Sequence, residues 1–143
     1  MKEISQPDFI HCKNGEVLKD MATNLANRSL SCLEDFEMEA IAKLDLNLDM
    51  LRKEIIGSYY TALFTSYQQL VNTFYMEHAK SSLNSFDTDK VLEYVKSQAM
   101  GLVEDTYKYT LWSLDEGMAN GAENARKVMY QMIQRKKKTQ SQV

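Results

Sequence analysis

The chain has 143 residues, 44% of them hydrophobic and 26% charged, which is the size and balance of one ordinary domain rather than a disordered segment. It contains one proline, Pro7, and five glycines, too little turn punctuation for most β-rich and α/β folds, so composition favours an all-α class. The net charge of −3 is unevenly spread: residues 1–123 sum to −9 and residues 124–143 to +6, an acidic body with a basic end.

The first 15 residues read as an irregular lead-in, with Pro7, the turn-like pair Asn14-Gly15, and His11 and Cys12. They lack the apolar run of a secretory signal. Cys12 and Cys32 have no metal-binding spacing, and the expectation is a cytoplasmic protein with reduced thiols. Residues 16–135 are expected to form a single helical domain, and residues 136–143 a disordered basic and polar tail.

A short first helix is expected over about 16–28, where Val17, Leu18, Met21 and Leu25 recur at helical spacing. Ser31 and Glu34 have the spacing of a capping box, and the acids Glu34, Asp35, Glu37 and Glu39 suit the positive end of a helix dipole. A long second helix then spans roughly 32–80. Ile41, Leu44, Leu48, Leu51 and Ile55 form a heptad-like seam that drifts to Tyr60, Phe64, Tyr67, Val71 and Phe74. Within it, Leu44 to Met50 alternates like a strand, but its polar positions are Asp and Asn, which strands avoid.

Ser81 to Asp87 is the clearest turn, and Asp87 or Thr88 can cap a third helix over about 88–135. Its apolar stripe is Val91, Leu92, Val95, Ala99, Leu102, Tyr107, Leu111, Leu114 and Met118, continued by Ala122, Ala125, Val128, Met129, Met132 and Ile133. Asn120-Gly121 marks a candidate break. The expected architecture is an elongated antiparallel hairpin or bundle of two long helices plus a short N-terminal helix. Helices of about 45 residues would be roughly 70 Å long, more than a domain of this size is wide. A second copy or a protein partner is therefore expected to cover the exposed seam.

Residues 55–76 are 22 positions without a charge. The stretch is long enough to span a membrane but carries eight Ser, Thr, Asn and Gln residues, so it reads as a buried helix and no span is expected. Tyr60, Phe64, Tyr67 and Phe74 within it are candidates for packing or for partner contact. Ser113, Gly117, Gly121 and Ala125 are each four apart, so on a continuous helix they form a ridge that admits another backbone; at the glycines the helix could instead break. Arg135, Lys136, Lys137 and Lys138 form the basic end, suited to an anionic partner or to a solvated helix terminus.

Catalytic and cofactor signals are thin, which leaves a small helical enzyme or ligand binder as a third class behind the two below. Asp45-x-Asn47-x-Asp49 starts like a calcium loop, but Met50 stands where that loop needs Gly and Ile56 where it needs Glu. Of the two histidines, His78 adjoins Glu77, but helical neighbours do not face each other. No phosphate loop, nucleophile elbow, zinc spacing or di-iron pattern occurs, so no catalytic, cofactor-binding or metal residues are assigned. The function expected is non-catalytic: a helical assembly or adaptor protein acting by self-association or partner docking, analogous at fold level to small virion or phage assembly components. The alternative is a nucleic-acid accessory protein whose basic C-terminal tail makes weak, salt-sensitive contacts.

Overall fold

The structure is a computed structural model that describes residues 13–81 and 88–141. Pro7, His11, Cys12 and most of the expected Ser81–Asp87 turn lie outside the described residues. The described chain is all helical: α1 (Lys13–Leu30), α2 (Asp35–Lys43), α3 (Leu48–Ser81), α4 (Thr88–Asp115) and α5 (Ala119–Ser141).

Helix α1 buries Leu18, Met21, Ala22, Leu25, Ala26 and Ser29, a strip repeating every three or four residues along one side. It packs on α3, α4 and α5, and those three also pack on one another. Their facing sides make one core. Leu51, Ile55, Tyr59, Leu63, Phe64 and Tyr67 come from α3; Ala99, Val103 and Leu114 come from α4; Ala122, Ala125, Val128, Met129, Met132 and Ile133 come from α5.

The two long helices expected from the sequence are each divided, by the same device. At the end of α2 the Leu46 N–H donates to the Ile41 carbonyl at 3.0 Å and the Asp45 N–H to Ala42 at 3.1 Å. Asp45 has φ +53°, so this is a Schellman turn with Asp at the left-handed position. After α4 the Met118 N–H donates to Ser113 at 3.0 Å and the Gly117 N–H to Leu114 at 3.1 Å, with Gly117 at φ +72°. Both turns satisfy the last carbonyls of their helix and redirect the chain. Consequently α3 has 34 residues and α4 has 28, about 50 and 42 Å in length, well short of the 70 Å that motivated the expected partner.

The calcium-like segment has a helix-terminus role in the structure. Asn47 is the N-cap of α3: its Oδ1 accepts from the N–H groups of Asp49 at 2.9 Å and Met50 at 3.2 Å. Asp49 then sits in the first turn, 3.8 Å from Lys53. Because the chain turns at Asp45, the expected heptad seam is interrupted: Ile41, Leu51 and Ile55 are buried but Leu48 is exposed. The expected Ser31 cap is also displaced by one turn. Ser31 Oγ donates to the Arg28 carbonyl, and Glu34 caps α2, its N–H donating to Glu37 Oε1 at 2.8 Å. At the other end of the chain, α5 runs on through Arg135–Lys138 to Ser141, where a disordered tail was expected from residue 136.

Candidate interaction surface

Two polar groups cross the core and fix how the helices present their outer faces. Glu37 of α2 is 1% exposed, yet every approach to its carboxylate is occupied. Oε1 accepts from the Glu34 N–H, Arg126 Nε lies 3.2 Å from Oε1 and 3.0 Å from Oε2, and Tyr130 Oη donates to Oε2 at 3.1 Å. Arg126 Nη2 reaches the Cys32 carbonyl at 3.0 Å, so the guanidinium ties α5 to both ends of the α1–α2 connection. Burial pushes the Glu37 carboxyl upward, but the Glu34 N–H, Arg126 and Tyr130 outweigh it and hold the group below its ordinary range. The pairing raises the Arg126 guanidinium, and desolvation beside Glu37 raises the Tyr130 phenol.

The second group joins α1, α3 and α5. Ser29 Oγ and Tyr59 Oη share a buried hydrogen bond of 2.7 Å, and Ser58 Oγ donates to Asn124 Oδ1 at 2.8 Å. Burial raises the Tyr59 phenol, opposed by its hydrogen bonds to Ser29 and Asn124. Among the described residues no buried side-chain nitrogen or oxygen lacks a partner. Both groups tie separate helices to one another through hydrogen bonds. The described residues do not bring together three or more His, Cys, Asp or Glu side chains that could hold a metal ion.

Among the described residues, exposed large hydrophobics stand around α2 and the start of α3 (Phe36, Met38, Leu48 and Met50) and in a row along α4. Its core side is Val95, Ala99, Val103, Ser113 and Leu114. On the outer side Tyr94 is 53% exposed, Leu102 44%, Tyr109 64% and Trp112 47%. At 3.6 residues per turn these four fall within about 80° of one another around the helix axis, along roughly 27 Å of its length. Tyr109 and Trp112 are ring neighbours, with centroids 5.7 Å apart. At the near end of the stripe His78 of α3 meets the edge of Tyr94 at 5.4 Å, bracing the ring in place. At the far end Arg28 of α1 pairs with Asp115, and Cys32 Sγ, just past α1, lies 3.6 Å from the Leu114 carbonyl, so the end of α1 meets the end of α4. With about half of each side chain in water, the stripe offers roughly 400 Å² of apolar surface. Patches of about that size on soluble proteins are often functional.

The residues singled out in the sequence are placed differently. Phe64 and Tyr67 are buried in the core, and Tyr60 and Phe74 are half-buried against it, with Tyr60 and Phe64 stacked at 6.0 Å. Packing therefore occupies this aromatic set. The ridge Ser113, Gly117, Gly121 and Ala125 does not form on one helix: Ser113 ends up in α4, Gly117 in the turn, and Gly121 and Ala125 in α5. A positive φ explains Gly117, and no close helix approach is needed there. Leu102, counted with the core stripe, points to solvent, while Val103 is fully buried. Arg135 is tied to Glu54 at 2.7 Å, and Lys136, Lys137 and Lys138 continue along α5.

Tyr94, Tyr109 and Trp112 were missed. Their signal lies in the spacing: on a helical projection of 88–115 they cluster with their centre about 120° from that of Val95, Ala99 and Val103, as a second apolar face. For residues 55–76, no helix among the described residues is long and apolar enough to cross a membrane. Compared with known proteins, the chain matches no family model, no curated protein and no solved structure.

Proposed function

We propose that this is a non-catalytic helical assembly or adaptor protein that works by docking a second copy or a protein partner on the outer face of α4. The observation that carries this reading is the stripe Tyr94, Leu102, Tyr109 and Trp112, held about half exposed on a helix fixed at both ends. Tyrosine and tryptophan are the residues enriched at interface centres, because they present large rigid area with a polar edge. The polar groups that tie the helices together support the same reading, since they supply rigidity.

Light scattering on the full chain tests it. The expected result is a mass above 16.5 kDa, alone or with a copurified protein, that returns to 16.5 kDa in Tyr109→Ser/Trp112→Ser. A clean 16.5 kDa species at high concentration with no copurifying protein, or a larger mass unaffected by the substitutions, counts against it.

A second reading draws on α5, whose exposed Lys127, Lys137 and Lys138 follow one another along a helix. It is a weak contact with nucleic acid, steeply dependent on salt. Removal of residues 135–143 without effect on nucleic-acid binding at low salt would dispose of it.

A further inference from the structure

Resting on the reading of α4 as a docking face, we propose that its partner is a second copy of this chain, met head to tail: the α4 stripe of one copy receives the basic outer face of α5 of the next.

Charge decides between the ways two copies can meet. Glu104, Asp105 and Glu116 are exposed on or beside the stripe. Lys108, the cation nearest its centre, is already 3.9 Å from Glu104. If α4 paired with its own copy antiparallel about the midpoint of Tyr94 and Trp112, the two Asp105 carboxylates would lie within about 10 Å of each other. A parallel pairing would place them face to face. Like charges set together across an interface count against that arrangement. The stripe therefore calls for a surface that offers apolar contact and cations together.

The outer face of α5 offers both. Tyr130 is 46% exposed, its hydroxyl held by Glu37 and its ring left at the surface. Beside it runs an open groove of about 630 Å³ lined by Glu54, Lys127, Tyr130, Gln131, Gln134 and Arg135. Lys127 is exposed, Lys137 lies about three turns further along, and Arg135 is held over the groove by Glu54. Laid across that open surface, Tyr109 and Trp112 would meet Tyr130 and the cations Lys127 and Arg135. Asp105 and Glu116 then meet Lys127 and Lys137 in place of each other. The charges of α4 sum to −2 and those of α5 to +5, which gives the contact its polarity.

A stable interface buries about 800 Å² per partner. The stripe supplies roughly half of that, and the exposed Glu104, Asp105 and Lys108 flank it. Since donor and receiving faces are on different helices, each copy keeps one of each open, and the contact propagates into a ring or a filament rather than closing as a two-fold dimer.

Two surface variants of the full chain test this, each verified as folded by circular dichroism: Tyr109→Ser/Trp112→Ser on the α4 face and Lys127→Glu/Lys137→Glu on the α5 face. The wild type is expected to exceed 16.5 kDa in light scattering, increasingly with concentration, and to fall back toward it at about 0.5 M salt. Each variant alone is expected to remain at 16.5 kDa, with association weakened at least about 10-fold. Mixed in equal amounts, the two variants retain one intact α4 face and one intact α5 face between them, and should give a species of twice the monomer mass and nothing larger. A mixture that stays monomeric overturns the head-to-tail contact. Normal assembly by the lysine variant overturns it too while leaving α4 as a docking face. A wild type that is monomeric throughout overturns the second copy as partner, and assembly unaffected by the Tyr109 and Trp112 substitutions overturns both readings.

Discussion

Glu37→Gln tests how α2 is held. The substitution keeps the side-chain size and one acceptor but removes the charge that faces Arg126. In the native chain the carboxylate takes hydrogen bonds from the Glu34 N–H, Arg126 and Tyr130. Breaking a buried ion pair by removing one partner costs about 3–5 kcal/mol. Arg126 is 26% exposed and can regain some water, so the expected loss is at the lower end, about 3 kcal/mol. For a chain of this size that is a fall in Tm of about 6–12 °C. The loss should also depend on pH. The folded-state pKa of Glu37 is lowered, so its contribution is full above the ordinary value of 4.5 and disappears as pH falls through the folded pKa. The gap between wild type and variant is therefore wide at neutral pH and narrows in acid below pH 4.5. Urea unfolding followed by far-ultraviolet circular dichroism at pH 7 and at about pH 3 measures both. A loss under about 0.5 kcal/mol at pH 7, or a gap that does not change with pH, would refute the reasoning.

The helix-end devices make further predictions. Gly117→Ala should cost about 1–2 kcal/mol in urea unfolding, because a Cβ at φ +72° is strained even with open space around it. Asp45→Gly should act in the opposite sense at φ +53°, raising stability by about 0.5 kcal/mol. Asn47→Ala removes the acceptor for the Asp49 and Met50 N–H groups, and a loss of about 1 kcal/mol is expected. Tyr59→Phe leaves the fully buried Ser29 hydroxyl without its partner, for about 1–2 kcal/mol by thermal unfolding.

What was legible in the sequence follows from what a one-dimensional pattern contains. The helical class was written in the scarcity of proline and in apolar spacing, and the α5 core set Ala122 to Ile133 was read residue by residue. The breaks were harder, because Asp45 has a side chain and occupies a conformation usually signalled by Gly. In the sequence Gly117 fits a ridge of small residues and a helix break alike, and its φ of +72° shows the break. The cap of α2 is Glu34 rather than Ser31, in a box with Glu37, and Glu37 also meets Arg126, 89 positions away, a contact invisible to local spacing. The aromatic residues of α3 attracted attention by density, yet they face inward. Those of α4 are fewer but face outward, and only the phase of the helix against its buried side separates the two cases.

If a partner covers the outer face of α4, Trp112, the only tryptophan of the chain, reports it as a built-in probe on that face. Its fluorescence should be red-shifted and open to acrylamide quenching in dilute solution. As protein concentration rises and the mass in light scattering grows, the emission should move to the blue and the quenching should fall. Emission that stays red and equally quenched while the mass grows would show that assembly uses another surface, and would contradict the account.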